Sequence, residues 1–163
     1  MTALEPLTVH GFDALPARRA EELLREVCSA PRWARQVAAG RPYGDLAALQ
    51  AAAAAALTGD DLDAALAGHP RIGDRAARGT ARREQGAVAA APAQVLDALA
   101  EGNRAYEERF GHVYLVCASG RDAEDLLATL RSRLGNDPAT ERRVALAELT
   151  AINRLRLERV FGA

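Results

Sequence analysis

Apolar residues recur at helical spacing along most of the chain. After a short lead, Ala20, Leu23, Leu24, Val27 and Cys28 share one stripe, and Pro16 suits the first turn of the helix that carries it. Pro31 opens a second, shorter helix with Trp33 and Val37 one turn apart, and Gly40-Arg41-Pro42 closes it. Asp45 is placed to cap a third, in which Leu46, Leu49, Ala53 and Leu57 share a side across the run Ala51 to Ala56, low in complexity but high in helix propensity. Thr58 followed by Asp61 resembles a capping box and starts a two-turn helix with Leu62 and Leu66, which Gly68 stops.

Helical spacing resumes at roughly 80–90 and sets Ala81, Glu84, Gln85 and Val88 on one side. From Pro92, the positions Val95, Leu99, Asn103, Tyr106 and Phe110 make a long helix, ended by Gly111 where glycine takes the left-handed turn. Val113 to Ala118 is the one β-branched and aromatic run. With no partner strand in sequence, it reads as an extended, buried segment whose backbone groups need partners from elsewhere in the protein or from a ligand. Asp122 begins a helix with Leu126, Leu127, Leu130 and Leu134 inward and Gly135 at its end, and Asp137-Pro138 starts the last. With Ile152 as origin and about 100° per residue, Ala145, Leu149, Leu155 and Val160 fall on one arc, with Arg156 at about 40° in its middle and Arg154 at about 200°, facing water. An arginine aimed at a core needs a partner, either an internal carboxylate such as Glu84 or an anionic ligand.

These elements predict an all-α bundle of about eight helices, one domain over residues 1–163, with one extended segment near 113–118. Composition agrees, since 49% of residues are hydrophobic but only 4% aromatic, so helices approach through alanine and leucine. A net charge of −1 with interspersed signs lacks the basic face that nucleic acid requires. The cluster Arg75, Arg78, Arg82, Arg83 reads as a solvated face. Cys28 and Cys117 are too far apart for a metal knuckle and read as reduced core residues of a cytoplasmic protein. No apolar run approaches the ~20 residues of a membrane helix, no charged-then-apolar leader opens the chain, and its end is not a peroxisomal address.

Chemistry gathers at Gly68-His69-Pro70-Arg71-Ile72-Gly73-Asp74, the longest stretch of the first half without helical spacing. Proline pushes the preceding residue out of the helical region, so the His69 imidazole sits on a stiff turn, fenced by two glycines. It is either a connector histidine or a pinned acid/base. Glu84 and Gln85 are either an exposed pair or part of a site. If His69, Glu84, Gln85, an inward Arg156 and the amides of 113–118 converge, they form a small polar pocket for a planar, anionic molecule. His10 and His112 lack ligand companions, so no metal set is expected. There is no phosphate-cradling glycine loop or serine elbow.

His69-Pro70-Arg71-Ile72-Gly73-Asp74, Arg82-Arg83-Glu84-Gln85, Asn103, Tyr106, Phe110-Gly111, Tyr114-Leu115-Val116-Cys117-Ala118, Arg133-Leu134-Gly135-Asn136, Glu141-Arg142-Arg143 and Leu155-Arg156-Leu157, with Trp33 and Arg41-Pro42 upstream, together resemble the signature of the 2-oxo-4-hydroxy-4-carboxy-5-ureidoimidazoline (OHCU) decarboxylases of urate breakdown. The resemblance covers nearly the whole chain. It implies an all-helical, cofactor-free, homodimeric enzyme that converts OHCU to (S)-allantoin and carbon dioxide. It also implies His69 as acid/base with Glu84 as its acidic companion. The substrate would be held by Pro70, Ala81, Arg82, Arg83, Gln85, Arg156 and the backbone of Tyr114, Leu115, Val116, Cys117 and Ala118. Ala81 departs from the family, which commonly has serine there; one lost neutral hydrogen bond is worth about 0.5–1.5 kcal/mol, which predicts weakened binding rather than loss of function. The alternatives are a related small-acid lyase or tautomerase using the same pocket, and a non-enzymatic helical interaction module.

Overall fold

The computed structural model describes residues 7–67, 69–73 and 84–162. Among these residues are nine α-helices, one 3-10 turn and no strand. The helices are α1 (Val9–Asp13), α2 (Ala17–Val27), α3 (Pro31–Ala39), α4 (Leu46–Ala56), α5 (Leu62–Ala67), α6 (Gly86–Ala89), α7 (Ala93–Phe110), α8 (Ala123–Arg133) and α9 (Pro138–Phe161); the 3-10 turn Gly59–Asp61 precedes α5. The all-α expectation holds, and 113–118 is neither helix nor strand.

Local chemistry sets the helix boundaries. Side chains of Thr8, Asp45 and Asp122 accept from the amides of Gly11, Ala48 and Asp125 at 2.8–3.0 Å, satisfying first-turn donors that have no helical partner. Both halves of the Thr58–Asp61 capping box are present. Gly111 ends α7 at φ +80°, the left-handed conformation that costs glycine nothing. Gly135 is different: the end of α8 is Leu134 in the right-handed region, and Gly135 N donates to Ser132 O at 3.3 Å in a tightened last turn. Helix α1 has no counterpart in the sequence reading, because five residues with one apolar pair, Val9 and Phe12, give too short a pattern.

The chain parts into two compact units, Met1–Gly68 with Thr150–Ala163, and His69–Leu149; the division falls within α9. In the first unit α3 packs on both α2 and α4. Trp33 is fully buried and donates its indole N–H to Ala53 O at 2.9 Å. Arg41 gathers three carbonyls, of Phe12, Leu15 and Ala38, at 2.7–2.9 Å. Val160 corrects the helical arithmetic. It is exposed, because the larger Phe161 takes the buried place in the last turn, its ring 5.0 Å from that of Phe12.

The second unit is built on α7 against α8. Leu99, Tyr106, Tyr114, Leu126 and Leu130 are its buried centre, with Ile72, Val88 and Val116 in the same cluster. Gly102 permits the close approach of α7 and α8, since a Cβ there would lie 2.6 Å from Leu130 Cδ2. No helix among the described residues is long and apolar enough to cross a membrane.

Candidate active site

Three successive residues after His69-Pro70 are each tied down by a different side chain. Arg71 Nε lies 3.0 Å from both carboxylate oxygens of Glu107 on α7. Ile72 O accepts from Asn103 Nδ2 at 2.9 Å, one turn earlier on the same helix. Gly73 N donates to Gln85 Oε1 at 2.8 Å, and Gln85 Nε2 lies 3.4 Å from Arg71 O. Gly73 stands at φ +84°, a backbone conformation that side chains disfavour, so the turn itself requires glycine. Ile72 anchors the turn in the core beside Val88 and Leu99. His69 and Pro70 are half-buried and not helical.

Glu84, half-buried, immediately precedes Gln85, so the residue that latches the His69 turn is the chain neighbour of the predicted acidic companion. The Gln85 amide, expected to meet substrate, is buried and engaged with the turn backbone. Ala81, Arg82 and Arg83, together with Gly68, Asp74, Arg75 and Arg78, lie outside the described residues.

Tyr114, Leu115, Val116 and Ala118 are buried and Cys117 is half-buried, as expected of a segment that faces the core. Protein groups supply partners to its backbone. Arg133 Nη1 donates to Leu115 O at 2.6 Å, and Cys117 N donates to Glu148 Oε2 at 3.3 Å. The Tyr114 hydroxyl donates to Leu126 O at 3.0 Å. Burial pushes the Cys117 thiol above its ordinary pKa, and the charges of Glu148 and Glu84 add to the rise. Burial also raises the Tyr114 phenol, to about 12, against the opposing charge of Arg133.

Behind the segment lies a group to which the sequence reading gave no role. Glu141 is fully buried, and its Oε1 accepts from the Tyr106 hydroxyl at 2.5 Å, from Arg133 Nε at 2.7 Å and from Arg133 Nη2. Asn136 Nδ2 donates to its other oxygen at 3.1 Å. The Arg133 guanidinium stands 4.9 Å from the Tyr114 ring centroid. A signal was present: Arg133 is three and seven residues past Leu130 and Leu126, and Glu141 four and eight before Ala145 and Leu149, so both lie on apolar stripes.

Arg156 belongs to the other unit. It is half-buried, and its Nη1 donates to Val27 O at 2.8 Å, a backbone acceptor that the sequence reading did not anticipate. Arg154 is exposed, as the arithmetic required. Both cysteines are free thiols; burial raises Cys28 as well, against the lowering influence of Asn153. A cavity of about 220 Å³ lies between α4 and α9, lined by residues including Ala51, Leu57, Asn153 and Leu157; none of the site residues expected from sequence lines it. Among the described residues no three His, Cys, Asp or Glu side chains gather as a metal would need.

A family model described as OHCU decarboxylase matches residues 13–158. The uric acid degradation bifunctional protein TTL of Arabidopsis thaliana is 33% identical over 106 residues, 60% of this chain and 33% of that protein. The 2-oxo-4-hydroxy-4-carboxy-5-ureidoimidazoline decarboxylase of Amia calva is 42% identical over 59 residues, 36% of this chain and 34% of its own length. The chain thus spans about a third of the length of these curated relatives. Among solved structures, an OHCU decarboxylase in the presence of (S)-allantoin superposes with a TM-score of 0.77 at 28% identity, over 88% of this chain and 99% of that one. An (S)-allantoin synthase gives 0.71 at 19% identity, over 94% and 54%, a likeness of fold.

Proposed function

The chain belongs to the OHCU decarboxylase family, and from that premise we propose that it is a carboxy-lyase that converts OHCU to (S)-allantoin and carbon dioxide in urate degradation. The observation that carries this reading is the family match over residues 13–158, nearly the full length of the chain. That extent favours one OHCU decarboxylase-like domain over residues 1–163, and the resemblance favours a homodimer in the cytoplasm.

In this proposal His69 is the acid/base and Glu84 its acidic companion. Breaking the bond to the departing carboxylate leaves an electron pair that the adjacent carbonyl and nitrogen system of the substrate ring accepts. The protein's task is to turn that carboxylate out of the ring plane and deliver a proton to one face. A histidine titrates near neutral pH, which suits the delivery, and such help is typically worth ~10²–10⁴ in rate. The resemblance assigns Arg156 to an anionic group of the substrate; its Nη1 donates to Val27 O. Pro70 and the backbone of Tyr114 to Ala118 complete the binding surface, to which the resemblance adds Gln85, Ala81, Arg82 and Arg83. Donors aimed at the developing anion supply its electrostatic stabilisation.

Optical rotation during urate oxidation, with urate oxidase and 5-hydroxyisourate hydrolase present, tests the proposal. The protein should accelerate formation of dextrorotatory allantoin, and His69→Ala should abolish the acceleration. Ala81, standing where the family commonly has serine, favours one second reading, a lyase or tautomerase acting on a different small acid. That reading gains if OHCU turnover is unaffected while another acid is consumed in a His69-dependent way. Indifference of every candidate acid to His69→Ala and Arg156→Ala would leave a helical interaction module.

A further inference from the structure

Asn103 is a poor choice for its position on stability grounds. It lies on the buried stripe of α7 between Leu99 and Tyr106 and is only 2% exposed. Its Nδ2 is used by Ile72 O, while Oδ1, equally buried, has no hydrogen-bond partner among the described residues. Leucine has nearly the same shape and would pack against these neighbours without leaving a polar atom dry. What leucine cannot do is hold the Ile72 carbonyl.

That carbonyl lies three residues beyond His69, on a short path that is stiff throughout. Pro70 fixes its own backbone φ. Arg71 is tied to Glu107, and Gly73 is clasped by Gln85, next in the chain to Glu84. The Arg71–Glu107 pair is largely exposed at its arginine end and holds loosely, whereas the Asn103 bond is buried and has no competing water. Of the three tethers, Asn103 is therefore the one that sets the height of the turn against α7, while Gln85 sets its separation from Glu84.

We propose that Asn103 is a positioning residue for the decarboxylation, holding the His69-Pro70 turn by the Ile72 carbonyl so that the imidazole meets the reacting ring at the right distance. This rests on the reading of His69 as acid/base.

The test compares wild type, Asn103→Leu, His69→Ala and the His69→Ala/Asn103→Leu double variant, measuring kcat, KM for OHCU generated in situ, and the thermal midpoint. A shift of the turn by even an ångström should lower kcat roughly ten- to a hundredfold. KM should stay within about threefold, because Pro70 is the one binding group on the turn that Asn103 holds and the others lie off it. The double variant should be no slower than His69→Ala alone, since Asn103 acts only through that histidine. Should Asn103→Leu fail to fold, Asn103→Thr, which keeps a hydrogen-bond donor on a smaller side chain, is expected to show an intermediate kcat with the same KM. Wild-type kcat in the folded variant, a loss confined to KM, or an added loss in the His69→Ala background would each overturn the tether. Full turnover by His69→Ala would instead overturn the acid/base reading and the tether with it.

Discussion

Replacing Glu141 by glutamine keeps its shape and removes its charge at a site with no access to water. Glu141 is 0% exposed and Arg133 5% exposed, so the guanidinium loses its counter-ion in place. The substituted amide would also turn a donor, or a weaker acceptor, toward Arg133, Tyr106 and Asn136, all of which donate to the native carboxylate. Removing one partner of a buried pair typically costs about 3–5 kcal/mol, because the remaining charge is uncompensated. For a chain of this size each kcal/mol lowers the melting midpoint by roughly 2–4 °C, so Glu141→Gln should melt about 6–20 °C below the native protein. Arg133→Met/Glu141→Leu removes both charges and should recover part of the loss. What remains is the Leu115 carbonyl, which loses the Arg133 donor, and the Tyr106 hydroxyl and Asn136 amide, which lose the Glu141 acceptor, at about 1–3 kcal/mol for each that stays unsatisfied. Urea and thermal unfolding of Glu141→Gln, of the singles Arg133→Met and Glu141→Leu, and of the double variant would measure this. A Glu141→Gln protein within about 1 kcal/mol of native, or a double variant less stable than both singles, would refute the reasoning.

Three further outcomes follow from the same contacts. Tyr43, Tyr106 and Tyr114 are the chain's three tyrosines, and burial raises all three phenols, Tyr114 to about 12. A raised phenol stabilises the fold below the unfolded value near 10, and that stability is lost as pH climbs through the folded value. Tyrosinate absorbance of the folded protein should rise at higher pH than that of the unfolded chain, with Tyr114 ionising only near pH 12; a native titration that superposes on the unfolded one would contradict this. Burial alone would raise the Asp61 carboxyl, but hydrogen bonds from Arg32 and from the Thr58 amide and hydroxyl outweigh it and leave it below the usual range. Its contribution is therefore present at neutral pH and lost as pH falls through the folded value. Asp61→Asn should cost about 0.5–2 kcal/mol at pH 7 and flatten the acid limb of the stability curve; an unchanged limb would count against it. Arg156→Ala should raise KM for OHCU at least tenfold, about 1.4 kcal/mol, with a small change in melting midpoint, whereas a large midpoint loss with unchanged KM would assign the residue to the fold.

Most of the architecture was legible because it is written in local chemistry. Asp45, the Thr58–Asp61 pair, Gly111 and Asp122 mark helix ends through bonds spanning three or four residues, and the stripes of α2, α7 and α8 repeat often enough to fix which face is buried. Helix α1 was not legible, having too few residues to establish a period. The turn at His69 was recognised from proline and glycine, yet its tethers were not, since Asn103 and Glu107 lie 31 and 36 residues from the groups they hold. Arg156, picked out by its angle among apolar neighbours, is half-buried. The same test applied to Arg133 and Glu141 would have exposed the buried pair that holds the Leu115 carbonyl. A spacing shows that a charge points inward; it does not show what awaits it, and for Arg156 one acceptor is a carbonyl on another helix rather than a carboxylate.

The central claim is that the His69 turn and Glu84 form the surface on which the decarboxylation takes place. A crystal soaked in (S)-allantoin examines it most directly. The account predicts product density within hydrogen-bonding reach of His69 and Glu84, with its ring against the backbone of Tyr114 to Ala118. Ordered (S)-allantoin bound only elsewhere, with the His69 and Glu84 side chains unoccupied, would contradict it.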